Sequence, residues 1–238
     1  MARQKNMKFT GTVNGLIYYQ LRGEYYVKTK PVNVNRSIAS TRSAVIFGQA
    51  TKLAASIRYA LAPLIPNARD RAMMHRLNKA VNNWLQYAPE TITNIVTPVN
   101  PLQGFNFNEA CYLQSVFKTT LTVSTPQNDS IAVHIPAFNP VDVLSVPENC
   151  VEVYCHCLLI RSAINPPFTS TVSTNAFHIP YENSLQPAKD ILWPVDTTPG
   201  FLYSTVLALH YQIKKTNQQE IVKDIKWQPL GIIAALSK

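Results

Sequence analysis

Along residues 41–87 the apolar side chains recur at steps of three and four, and from residue 111 onward they recur at steps of two. The first pattern predicts a helical hairpin. Ile46, Ala50, Leu53, Ile57, Leu61 and Leu64 form one stripe, with Arg42, Gln49, Lys52 and Arg58 off it. Ser40 or Thr41 can cap the first helix, and Pro63 and Pro66 end it. Asn67 can cap the second, with Asp70 near its positive end, and Met73, Leu77, Ala80, Val81 and Trp84 repeat the stripe. Two such helices must bury their stripes against each other or against a third surface.

The second pattern predicts strands. Leu113, Ser115, Phe117, Thr119, Leu121 and Val123 alternate with polar neighbours, as do Ile131, Val133 and Ile135. Val151, Val153, Cys155, Cys157 and Leu159 form one face of another strand, and Tyr203, Thr205, Leu207, Leu209, Tyr211 and Ile213 one face of a longer one. Leu230–Leu236 is the expected last strand. Proline-, asparagine- and serine-rich loops separate these runs with no helical pattern between them, which argues an antiparallel β-sandwich. At the other end, residues 7–30 read as a β-meander. Asn14-Gly15 is a two-residue hairpin signal, Arg22-Gly23 marks a second turn, and Leu16–Tyr19 and Tyr25–Val27 are strand formers. The expected fold class is therefore α+β. Residues 1–88 hold a basic meander and helical hairpin, residues 89–110 a Pro/Asn-rich linker, and residues 111–238 the sandwich.

The start of the chain carries a resemblance. Met1-Ala2-Arg3-Gln4-Lys5, then Gly11-Thr12-Val13-Asn14-Gly15 with Tyr18-Tyr19, resemble the opening of an uncharacterised family found in the Bacteroidota. Thr41-Arg42, Phe47-Gly48-Gln49-Ala50, Lys52-Leu53 and Arg58-Tyr59-Ala60-Leu61 continue it, and Gly104-Phe105-Asn106-Phe107-Asn108 is similar to a motif that follows the helices there. It departs at Lys30-Pro31, where the family carries Lys-Gly-Gly. The resemblance covers about the first 110 residues, implies a module boundary, and brings no biochemical role.

Charge changes the picture more than composition does. The 238 residues carry a net +9, but residues 1–88 hold 14 Lys/Arg against 2 Asp/Glu, while residues 89–238 hold 8 against 11. A basic front on a mildly acidic back suggests either an anionic partner or head-to-tail contact between copies. No apolar run reaches the about 18 residues of a membrane-crossing helix. No apolar segment follows Met1-Ala2-Arg3-Gln4-Lys5, so no secretory signal is expected, and synthesis is expected in the cytoplasm.

Candidate chemistry is sparse. Cys150, Cys155, His156 and Cys157 are the one cluster with metal-ligand character. Cysteines two apart on a strand face one way and the histidine between them the other, which does not converge four ligands. His75, His134, His156, His178 and His210 are scattered. With 7 glycines, the chain has neither G-x-G-x-x-G nor a P-loop. We therefore expect no enzyme, no cofactor and no metal. The expected function is a self-assembling structural subunit of a filament, tube or phage-like particle, its partner a second copy of itself. The expected interface is Arg3, Lys5, Tyr18, Tyr19, Tyr25, Tyr26, Lys28 and Lys30. The alternative is nucleic-acid binding through the same basic, tyrosine-interleaved front.

Overall fold

The computed structural model describes residues 3–5, 8–33, 36–64, 72–87, 97–98, 101–126, 129–196, 198–215 and 218–237. The chain divides into two compact units, Met1–Ser43 and Ala44–Lys238. In the first, β1 (Arg3–Lys5), β2 (Lys8–Val13), β3 (Leu16–Leu21) and β4 (Glu24–Thr29) form an antiparallel meander in chain order. Its last two turns each place two residues at positive φ: Asn14 at 46° and Gly15 at 76°, then Arg22 at 52° and Gly23 at 89°. That is the type I′ geometry that Asn-Gly announced, and its twist matches the flanking strands. Ser37 follows, and its Oγ accepts the Ser40 N–H at 3.1 Å. The helix α1 (Ile38–Leu61) therefore starts before the expected Ser40 or Thr41 cap.

In the second unit α1 is followed by α2 (Met73–Tyr87), β5 (Thr97–Pro98), the single turn α3 (Leu113–Val116), β6 (Thr122–Ser124) and β7 (Ser130–Ile135). Next come α4 (Pro140–Val143), β8 (Cys150–Ala163), β9 (Ser170–Pro180), β10 (Lys189–Pro194), β11 (Phe201–Lys215), β12 (Gln218–Ile221) and β13 (Leu230–Ser237). The large sheet runs β5-β13-β11-β8-β9, with β12 on the far end of β11, and the small one runs β10-β7-β6. All their pairings are antiparallel.

Each face of the large sheet has its own cover. On one, Val153, Cys155, Cys157, Leu159, Tyr203, Leu207, Leu209 and Tyr211 meet Ile131, Val133, Ile135, Ile191 and Trp193 of the small sheet. That is the expected sandwich. On the other, Leu158, Ile160, Leu202, Val206, Ala208, Leu230 and Ile232 meet the helical stripe Ala50, Leu53, Ala54, Ile57, Leu61, Leu77, Val81 and Trp84. Residues 202–209 are consequently buried without interruption. Burying both stripes on one sheet removes more apolar area from water than pairing the helices alone. The helices thus share a core with β8, β11 and β13. Compactness divides the chain at 43/44, where periodicity had suggested a break across 89–110. Of that expected linker, residues 89–96 and 99–100 lie outside the described residues, as do the expected cap Asn67 and Asp70.

The segment 113–123 differs from its expected strand. Leu113, Val116 and Phe117 are buried and Ser115 is exposed, the spacing of one helical turn, whereas alternation would bury Ser115 and expose Val116. The Asn106 side chain supports the turn: its Oδ1 accepts the Leu113 N–H at 2.9 Å where the turn starts. Strand structure begins only at Thr122.

Candidate interaction surface

A meander of one three-residue and three six-residue strands is too small to enclose a core. Among residues 9–33 and 36–43 no residue is buried. Register sorts the side chains onto two faces. Pairs Tyr18–Val27, Leu16–Thr29, Val13–Leu16 and Gly11–Tyr18 share one of them. Phe9 joins that face, its ring 5.9 Å from that of Tyr18. The result is an apolar face of Phe9, Val13, Leu16, Tyr18, Tyr25 and Val27, with Phe9 44 %, Val13 41 % and Val27 55 % exposed.

Pairs Tyr19–Tyr26, Ile17–Lys28 and Thr12–Ile17 share the opposite face. Tyr19 and Tyr26 stack at 5.7 Å, and Lys28 Nζ lies 5.3 Å from the centre of the Tyr19 ring, a cation–π arrangement. The four tyrosines of the expected interface are therefore divided between the two faces. Tyr18 and Tyr25 lie on the apolar face; Tyr19, Tyr26 and Lys28 lie on the opposite one, with Ile17, Leu21 and Glu24. Lys30 follows β4, exposed, its N–H donating to the Gly15 carbonyl at 2.6 Å. Arg3 and Lys5 lie on β1, paired with Thr10 and Lys8 of β2, and their side chains fall outside the described residues. Sequence reasoning named Leu16 and Val27 only as strand formers and did not single out Phe9 or Val13.

The division at 43/44 also redraws the charge. Residues 1–43 carry 8 Lys/Arg against 1 Glu, a net +7. Residues 44–238 carry 14 against 12, a net +2. The basic character belongs chiefly to the meander and its connector, and the larger unit is not net acidic.

Register also assembles histidines that the sequence scattered. On the large sheet, beyond the strip that the helices cover, His156 and His210 sit with ring centres 5.1 Å apart. His178 packs 4.4 Å from Tyr154, and its Nδ1 lies 3.1 Å from Glu152 Oε1. Tyr154 Oη donates to Gln212 Oε1 at 3.0 Å. Burial holds both His156 and His210 below the ordinary imidazole range, and a neighbouring histidine adds to it in each case. Behind them, on the sandwich side, Cys155 and Cys157 are buried and form no disulfide. Burial pushes the Cys157 thiol up to about 12 and those of Cys111 and Cys150 up to about 11. Thiols so held stay protonated and unreactive at neutral pH. Among the described residues no group of three or more His, Cys, Asp or Glu side chains is arranged to hold a metal ion.

The motif Gly104–Asn108 has a structural explanation. Gly104 N–H donates to the Ile232 carbonyl at 2.9 Å, Ile232 N–H to Phe105 at 2.8 Å, and Phe107 N–H to Leu230 at 2.9 Å. The segment thus pairs along the edge of β13. The Asn106 side chain bonds the Leu113 N–H where α3 starts, and its carbonyl accepts Arg76 Nη1 of α2 at 2.9 Å. Asn108 is fully buried and ties down residues 225–228. Among the described residues no helix is long and apolar enough to cross a membrane. No protein-family model matches the chain, and no curated protein matches it.

Proposed function

We propose that this chain is a self-assembling structural subunit, and that its meander docks through the apolar face on the meander of a second copy. The observation that carries the reading is the exposed face of Phe9, Val13, Leu16 and Val27 on a sheet with no buried side chain among residues 9–29. A second copy is the occupant that the charge favours. Two sheets packed face to face lie about 10 Å apart. The Lys28 side chains, on the opposite faces, then point away from each other, separated by more than the about 8 Å Debye length of physiological salt. Contact of a basic front with an acidic back has less support, because the larger unit carries a net +2.

The test is sedimentation velocity at micromolar concentration on the full chain and on Val27→Lys, which sets a charge on the apolar face opposite Tyr18. The wild type is expected to sediment above the 26.7 kDa of one chain, and the variant to lose that contact. A wild type at one chain mass at every concentration overturns the reading, as does a variant that associates as strongly.

A second reading, nucleic-acid binding, is favoured by the opposite face, where Lys28 and the stacked Tyr19 and Tyr26 present charge beside aromatic rings. It predicts oligonucleotide affinity that falls steeply with salt and weakens on Lys28→Glu. Salt-independent or absent binding removes it.

A further inference from the structure

The large sheet ends on one side in β9, and the other edges of this unit show how bare that end is. β5 is two residues long and includes Pro98. The rest of the β13 edge is occupied by residues 104–107. β12 is four residues long, with Glu220 bridged to Lys215 at 2.9 Å. In the small sheet β6 is three residues long, and β10 carries Lys189, Asp190 and Pro194. Short length, charge and proline are the devices by which sheets blunt their edges. β9 has none of them before its last residue. Its 11 residues, Ser-Thr-Val-Ser-Thr-Asn-Ala-Phe-His-Ile-Pro, contain no Lys, Arg, Asp or Glu. Its pairing with β8 runs from Ser170 to Pro180 without a bulge.

The direction of its free backbone groups follows from the ladder. Ala163 N–H donates to the Thr169 carbonyl, and Tyr181 N–H to that of Val151. Both pairs obey the β8–β9 register, so odd-numbered residues of β9 exchange their hydrogen bonds with β8. The N–H and C=O groups of Ser170, Val172, Thr174, Ala176 and His178 therefore point outward, and none has a backbone partner among the described residues. Residues 171–174 are exposed on both faces, so neither cover of the sheet obstructs them.

We infer that β9 is a second assembly edge, which pairs antiparallel with β9 of another copy about a two-fold axis at Thr174. The inference extends the assembly reading above and rests on it for the identity of the occupant. A two-fold at Thr174 sets Thr174 opposite itself, Val172 opposite Ala176 and Ser170 opposite His178. Every outward-pointing residue then faces another, and each pair exchanges two hydrogen bonds. No like charges oppose each other, which matters for a chain of net +9. The strand is the stretch along which two such chains meet without repulsion. Two different two-fold contacts on one chain, meander to meander and β9 to β9, alternate into an open filament or close into a dihedral ring.

The register supplies a clean test. Thr174→Pro removes an outward N–H and leaves the β8 ladder intact, since that ladder uses odd-numbered residues. Thr174→Lys sets two like charges directly opposite at the axis and keeps the N–H. Each full-length variant is compared with wild type and with Val27→Lys by sedimentation velocity, with thermal unfolding as a check that it folds. Thr174→Pro, which removes both hydrogen bonds at the axis, is expected to weaken the β9 contact by about 30-fold, and Thr174→Lys by about 5-fold. Thr174→Pro combined with Val27→Lys is expected to give a monomer. In associated wild type the Val172, Thr174 and Ala176 amides exchange slowly with deuterium; in Thr174→Lys they exchange faster, while those of Thr171, Ser173 and Asn175 stay protected. Association unchanged in both Thr174 variants overturns the inference, as does free exchange of the even-numbered amides in associated wild type. If Val27→Lys alone disrupts assembly, the meander contact stands and the β9 contact falls. If the Thr174 variants alone disrupt it, the β9 contact stands and the meander contact falls.

Discussion

Asn108→Ala isolates one buried side chain whose partners are all known. Asn108 Nδ2 donates to the carbonyls of Ile225 at 2.7 Å and Gln228 at 2.9 Å, and its Oδ1 accepts the Ala110 N–H at 3.0 Å. A hydrogen bond of this kind contributes about 1 kcal/mol net, and a buried group left without its partner costs about 1–3 kcal/mol. Three groups lose their partner, but the Ile225 carbonyl keeps a weak bond from Gln228 N–H at 3.4 Å. The loss should therefore be about 3 kcal/mol, a large share of the about 5–15 kcal/mol by which domains are stable. In a chain of this size it lowers Tm by about 6–12 °C. Asn108→Asp sharpens the argument, because it is nearly isosteric. It replaces the NH2 donor with an acceptor aimed at two carbonyl oxygens, in a site with no solvent contact. Its loss should equal or exceed that of Asn108→Ala and should grow as pH rises above the ordinary carboxylate range. Urea unfolding followed by circular dichroism and by tryptophan fluorescence measures both. An Ala variant within about 0.5 kcal/mol of wild type refutes the reasoning, as does an Asp variant more stable than the Ala variant.

Ile57→Ala opens a cavity between α1 and the large sheet and should cost about 2–5 kcal/mol; helical and strand signals should fall in one transition, and separate transitions would contradict the shared core. Acidification should destabilise the fold through His156 and His210, around which lie Glu152, Tyr154, His178 and Gln212. Their folded-state pKa values lie below the unfolded value of 6.5, so the unfolded chain binds protons first. Stability is then level above that pH and declines below it; His210→Gln should shrink the loss between pH 7.5 and 5.5, and an undiminished loss would refute this.

Local chemistry decided several elements before any tertiary contact was known. Asn14-Gly15 and Arg22-Gly23 determine their own turns, because few residues accept positive φ there, and the meander followed from them. The stripes Ala50–Leu61 and Met73–Trp84 determine two helices, since 3.6-residue periodicity is a property of the segment alone. The alternations of β7, β8 and β11 were legible for the same reason. Tertiary structure decided the rest. Which surface the helical stripes cover depends on an apolar sheet face assembled from β8, β11 and β13, residues far apart in the chain, so the division at 43/44 could not be read from periodicity. β9 and β12 went unread because exposed edge strands need little apolar alternation, and β10 because the exposed Leu192 between buried Ile191 and Trp193 hides its alternation; β9 is held by the register of β8. The Leu113–Phe117 turn is supported by Asn106, seven residues before it begins. The proposed surfaces divide in the same way. Tyrosines and lysines marked the meander as unusual, but register alone sorted Tyr18 and Tyr25 from Tyr19 and Tyr26, because adjacent side chains on a strand face opposite ways. The outward groups of β9 and the His156–His210 contact exist only once strands are paired, which no single stretch of sequence encodes.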